Sequence, residues 1–280
     1  MHNALSVDIE DWFQVGAFET TISRDDWGRL EHRVERNSDA VLALFARTGV
    51  KATFFTLGWV AERYPALIRR IVEQGHEVAS HGWDHIRVFT MTADQFRADI
   101  DRTRKTLEDA SGQRVAGYRA PSFSIDKRTP WAHPILAEQG YAYSSSVAPL
   151  RHDHYGWPEA PRFAFHPVQG SELIELPVTT AEIGARRLAL GGGFFRVLPY
   201  ALTRWAIGRV FAKEGRPAIF YFHPWDMDPG QPRVADAPLR SKFRHYTNLS
   251  AMEGKLERLI GEFPWGRTDA VAAAEAKRAA

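Results

Sequence analysis

The chain alternates short apolar runs with stretches of helical period along nearly its whole length, and this alternation most narrows the folds open to it. "ALSVDI" (4–9), "KATFFTLG" (51–58), "HEVAS" (76–80), "VAGYRAP" (115–121), "YAYSSS" (141–146), "ELIELPVT" (172–179) and "PAIFYFH" (217–223) read as strands. Helical patterns fall between them. One is capped by Asn37 or Ser38 and stopped at Gly49, another is closed by Gly75, and a third opens on a capping Thr92. Residues 198–215 read as a further helix, and roughly 248–262 as the last, with a fraying Ala-rich tail beyond it. Strand–helix alternation of this kind implies parallel βα units, as a barrel or a doubly wound sheet. In a barrel the carboxyl ends of all strands share one face, where active sites sit.

Several strands end in reactive residues: Asp8 and Glu10, His81, Arg119 and His223. Composition removes some of the chemistry they might serve. The 280 residues contain no cysteine, which excludes disulfides, thiolate catalysis and Cys-ligated zinc. The formal charge of +2 comes from scattered arginines, so no nucleic-acid partner is implied. No run approaches the ~18 apolar residues of a membrane span, and no signal-peptide pattern precedes the first strand, so a cytoplasmic location is expected. "RHDHYGWPEAPRFAFHPVQG" reads as an ordered excursion, and "GGGFFR" lacks the Lys-Ser/Thr of a phosphate loop.

"SHGWDH" sets His81 and His85 four apart directly after a strand, where one helical turn would bring both imidazoles to the same side. Two His and one carboxylate can hold a divalent ion and leave positions open for water and substrate. Zinc is the first choice for such donors, and cobalt, nickel or iron also fit. "DIEDW" offers three acids: one can ligate while a neighbour stays free to take a proton from water. Carboxylates at a strand tip are equally ordinary as solvated residues. Arg119 in "GYRAPSF" could fix the direction of a buried carboxylate, and His223 in "FYFHPWD" could protonate a leaving amine. Trp12, Trp83, Tyr118, Phe123 and Trp225 cluster around these motifs, where aromatic faces either stack on sugars or fill a core.

Taken together, "SVDIEDW", "TFFTLGWVAERYP", "GHEVASHGWDH", "GYRAPSFSI", "YSSSVAP" and "FYFHPWDMDP" resemble, in order, the polysaccharide deacetylases of carbohydrate esterase family 4. "GGGFFRVLPY" and "HYTNLSAMEGKLERLI" are similar to the exosortase-associated deacetylases found with exopolysaccharide gene clusters. The resemblance implies a distorted (β/α)7 barrel, one domain over 1–280 with a family-specific extension from about 190 to 265, and a metal-dependent N-deacetylase acting on a polysaccharide or its precursor. It casts Asp8 as the catalytic base, His81 and His85 as metal ligands, Arg119 as the residue that orients the base, and His223 as the general acid. Glu10 is the expected third ligand, with Asp11 as the alternative, because Ile9 stands where many members have a second aspartate. Trp12, Tyr118, Phe123 and Trp225 are the expected substrate contacts. The family's acid beside the catalytic histidine has no counterpart in "YAYSSSVAP", and Asp153 is the candidate replacement. A metal-independent, allantoinase-like amidohydrolase and a non-catalytic carbohydrate-binding protein are the alternatives.

Overall fold

Strand β1 (Asn3–Ile9) is buried along its entire length, as a strand covered on both faces must be. The structure, a computed structural model, describes residues 2–152, 155–184 and 186–279. In chain order, β1 is followed by helix α1 (Val34–Thr48), β2 (Thr53–Thr56), α2 (Gly58–Arg63), α3 (Pro65–Glu73), β3 (Glu77–Ser80) and α4 (Ala93–Ser111). Next come β4 (Gly117–Tyr118), α5 (Ala132–Glu138), β5 (Tyr143–Ser144), β6 (Ile174–Glu175) and the hairpin β7 (Thr180–Ile183) and β8 (Arg186–Ala189). The rest is α6 (Gly192–Val197), α7 (Tyr200–Gly208), β9 (Ile219–Phe222), α8 (Leu239–Tyr246), α9 (Met252–Glu262), β10 (Trp265–Gly266) and α10 (Thr268–Ala279).

The sheet runs β9-β1-β2-β3-β4-β5-β6 with every pairing parallel, and β10 pairs with the start of β1. It curls toward closure between β6 and β9, where Ile219 and Thr179, just past β6, exchange hydrogen bonds of 2.6 and 3.2 Å. This is the expected distorted barrel of parallel strands. Ala4, Phe55, Ala79, Tyr143, Ile174 and Ile219 fill its interior, and a larger apolar layer lies between the strands and the helices.

Two local readings are corrected. Helix α1 starts at Val34, ahead of Asn37 and Ser38, because its first amides are satisfied from outside the segment. Asp11 Oδ2, at the tip of β1, accepts from the N–H groups of Arg33 (2.7 Å) and Val34 (3.0 Å). A side-chain cap of this type contributes about 0.5–2 kcal/mol. The Ala-rich tail is also ordered as α10, because Val271 and Ala272 join the barrel's interior cluster. The Thr268 N–H donates to Thr53 Oγ1 at 2.7 Å, so the helix plugs the end where the strands begin. Helix α4 matches its pattern, with a reciprocal Thr92–Gln95 capping box and a stop at Gly112 (φ 66°).

His76 ties the acid stability of the fold to its packing. Its Nδ1 accepts from the Ala52 N–H at 3.2 Å while the ring lies against Phe45 and Phe54. Burial, with Lys51 and Arg267 adding to it, holds its pKa down to about 4 from 6.5. Between these values the unfolded chain binds more protons than the folded one, so this contribution is complete above pH 6.5 and is lost as pH falls through 4. The loss is about 3 kcal/mol in full. Urea midpoints measured from pH 7 to 4 should carry this component in the wild type and lack it in H76Q. Equal slopes in both would remove His76 as its source.

Candidate active site

Because the strands are parallel, their carboxyl ends deliver side chains to one rim. Asp8 and Glu10 leave β1, His81 follows β3, Arg119 follows β4 and His223 follows β9. Asp8, Glu10, His81, His85 and His223 all line one cavity of about 470 Å³.

His81 and His85 do not share a helical turn. Gly82 (φ 74°) and His85 (φ 60°) are left-handed, and the carbonyls of Gly82 and Trp83 accept from the amides of Gly58 and Trp59 at 2.9 Å instead of closing a helix. The loop still sets the two rings 5.5 Å apart. Donor atoms of Glu10, His81 and His85 lie within 4.8 Å of one another. His81 Nδ1 donates to the Arg119 carbonyl at 2.9 Å, which leaves its Nε2 as a lone-pair donor. Glu10 Oε2 is buried 2.8 Å from His85 Nε2, and the carboxylate clusters with the donor atoms of both imidazoles. A buried carboxylate facing two imidazoles suits a divalent cation, so these residues fit one.

The charges of the site are mutually set. Burial alone would raise Glu10, but His85, His223 and His81 outweigh it and hold its pKa near 2. Burial keeps His81 down at about 4, against the pull of Asp8, so this imidazole is neutral and ligand-ready at pH 7. Asp11 stands apart from the three donors. It accepts the amides of Trp12, Arg33 and Val34, and burial raises its pKa to about 6 despite them. Its work is to start α1.

Asp8 Oδ1 accepts from Arg119 Nη1 at 2.6 Å, and Arg119 is fully buried. That guanidinium also donates to Ser6 Oγ (2.8 Å), the Ser145 carbonyl (3.1 Å) and Ser145 Oγ (3.0 Å), and sits 4.0 Å from the Phe55 ring centre. Arg119 is locked by these contacts, and it locks Asp8 in turn.

His223 has a partner that sequence reasoning missed. Asp226 Oδ2 accepts from both the backbone N–H (2.9 Å) and Nδ1 (3.0 Å) of His223. Asp226 is itself buried in an ion pair with Arg196 of α6. Burial opposes a charged His223, yet Glu10 and Asp226 outweigh it and raise its pKa to about 9. Pro224 and the acid three residues after His223, at the start of a tight helical turn, were the available local signal for Asp226. Nothing local marks Arg196. Asp153, the candidate named for this role, lies outside the described residues.

The cavity wall is aromatic, and two of the four expected contacts belong to it. Phe123 and Trp225 line it together with Tyr221, Phe194 and Phe243. Trp225 also donates its indole N–H to Glu10 Oε1 at 3.1 Å and stacks on His223 with centroids 4.6 Å apart. Trp12 and Tyr118 are corrected to core residues. The Trp12 indole N–H is spent on the Glu31 carbonyl at 2.9 Å, and Tyr118 packs edge-on against Phe96 and Tyr141. "GGG" is a packing device: a Cβ on Gly191 or Gly192 would lie within 3 Å of the Tyr221 ring, so only glycine lets α6 approach β9 here.

Residues 23–144 match the model of the polysaccharide deacetylase family, and residues 145–273 match that of a domain family of unknown function (DUF3473). A peptidoglycan-N-acetylglucosamine deacetylase of Listeria monocytogenes is 35% identical over 88 residues, 31% of this chain and 19% of that protein. A peptidoglycan deacetylase of Helicobacter pylori is 29% identical over 147 residues, 51% of this chain and 48% of that protein. The chain thus spans less than half the length of these curated relatives. Among solved structures, a putative polysaccharide deacetylase from Mycobacterium smegmatis superposes with a TM-score of 0.66 at 19% identity, covering 99% of this chain and 91% of that one. At that identity the likeness is one of fold.

Proposed function

The chain belongs to the polysaccharide deacetylase family, and from that premise we propose that it hydrolyses N-acetyl groups on amino-sugar units of a polysaccharide, with Glu10, His81 and His85 holding a divalent cation. The observation that carries this reading is the convergence of an Asp8–Arg119 pair and a His223–Asp226 pair on the cavity lined by the three donors. When bound, the cation supplies Lewis-acid polarisation and lowers the pKa of water, and zinc suits the donors best.

The protein's own groups divide the proton work. Asp8, held by Arg119, accepts the proton of the attacking water. His223 hands its Nε2 proton to the departing amine, and Asp226 on Nδ1 holds the ring in the required tautomer. The oxyanion finds a donor at the turn of Ser122 and Phe123, two consecutive residues at positive φ (54° and 49°). The Phe123 N–H is given to the Ala120 carbonyl at 3.0 Å, which makes Ser122 the better amide. The aromatic wall presents faces on which sugar rings stack. Similarity of "GGGFFRVLPY" and "HYTNLSAMEGKLERLI" to exosortase-associated deacetylases favours an exopolysaccharide or its precursor as the polymer.

The test is acetate release from N-acetylhexosamine oligomers and from exopolysaccharide, before and after chelation. Chelation should lower the rate at least a hundredfold, and one equivalent of zinc should restore it. Full activity in chelated protein, or turnover of allantoin instead of glycan, would favour the metal-independent reading. Glycan binding without acetate release under any metal would favour a binding protein.

A further inference from the structure

Helix α8, LRSKFRHY, is unusual for the face it turns to solvent. Leu239 is 83% exposed and Phe243 62%, the two highest values among the exposed large hydrophobics of the described residues. Single exposed leucines are ordinary. These two lie one helical turn apart on the same side, and Tyr246 continues the row into the body of the protein. Basic residues flank the row on both sides, Arg240 and Arg244 on one and Lys242 on the other, and Arg233 lies over the Tyr246 ring at 4.2 Å. Residues 233–246 hold these four basic side chains against the single acid Asp236.

The helix is rigidly placed relative to the catalytic rim. Its terminal carbonyls are satisfied by buried Arg196, which donates to those of Arg244, His245 and Thr247 at 2.8–2.9 Å. His245 is buried and stacks on Trp225, 4.4 Å between centroids. Arg240, Ser241, Phe243 and Arg244 line the catalytic cavity, so the exposed row stands at its mouth.

We propose that α8 docks on the surface of an anionic lipid bilayer, with Leu239 and Phe243 entering the headgroup–acyl boundary and the basic flanks meeting the acidic headgroups. An apolar row bordered by Lys and Arg is the pattern of an interfacial helix, and its charge is complementary to such a surface. Among the described residues no helix is long and apolar enough to cross a membrane. Resting on the deacetylase reading, docking would turn the cavity mouth toward a glycan carried on a membrane lipid. The docking itself does not depend on activity.

The experiment is co-sedimentation of the full chain with phosphatidylcholine vesicles and with vesicles containing 30% phosphatidylglycerol, at low and high salt. Binding to the anionic vesicles should exceed binding to the neutral ones at least tenfold and should weaken in high salt. Neither Leu239 nor Lys242 lines the catalytic cavity. L239S should lower partitioning about tenfold, and K242E, which reverses a charge, about twentyfold. Acetate release from a soluble oligosaccharide, measured in parallel, should be unchanged in L239S, which separates failure of docking from failure of the deacetylase reading. Wild-type protein that stays in the supernatant with both vesicle types would overturn the proposal, as would binding indifferent to both substitutions. A concentration-dependent dimer that L239S dissociates, with no vesicle binding, would assign the face to a second copy of the chain and also overturn it.

Discussion

Replacing Asp8 with Asn should lower acetate release by about 10²–10⁴-fold, the share of rate that a positioned general base supplies. Asn keeps the volume of the carboxylate and can still accept from Arg119 Nη1 through its amide oxygen, so the pocket keeps its shape. What it loses is the ability to take a proton. The buried guanidinium loses its ion partner, which costs stability, but it retains Ser6, Ser145 and the Phe55 face, so the chain should fold at reduced stability. Metal content by elemental analysis should remain at one equivalent, because Asp8 is not among the three clustered donors. D8N with more than a tenth of wild-type turnover would remove Asp8 from the role of base. D8N that folds but no longer retains metal would move it into the ligand set.

Replacing Arg196 with Met should destabilise the fold by about 3–5 kcal/mol, the usual cost of leaving one member of a buried ion pair uncompensated. Arg196 and Asp226 are 1% and 0% exposed, so water cannot screen the loss. Three carbonyls at the end of α8 and just beyond it lose their donor as well. Lysine should rescue only part of this, since one ammonium cannot reproduce the guanidinium fork that serves both the carboxylate and the carbonyls. Urea unfolding with an unchanged slope is the measurement, and a loss under 1 kcal/mol in R196M would refute the account. Because Asp226 holds Nδ1 of His223, R196M should also shift the pH profile of turnover, which a purely structural role would leave in place.

The two predictions draw on residues that differ in how visible they are in the sequence. Asp8, Glu10, His81, Arg119 and His223 can be picked out because each follows an apolar run that becomes a parallel strand, and parallel strands end on one rim. Asp226 was within reach, three residues past His223 in a turn that begins with proline. Arg196 was not, because thirty residues and an entire strand separate it from Asp226, and no short pattern encodes that meeting. Asp11 shows the same limit from the other side. As an acid beside Glu10 it resembles a ligand, yet the start of α1 passes close enough to use it as a cap. Trp12 and Tyr118 are the aromatic version, since which way a ring turns depends on where its N–H or its edge finds a partner.

By itself, the order of apolar runs and helical periods determined a sheet of parallel strands and the end of it that carries reactive side chains, because strand and helix periods are local properties. That the sheet curls into a barrel rather than lying open was implied only by the family resemblance. Only the tertiary structure decided which acid faces the imidazoles and which starts a helix, what holds His223, and that the Ala-rich tail plugs the barrel. Those outcomes depend on buried polar groups finding partners far away in the chain, and the cost of leaving such groups unpaired is a property of the packed state alone.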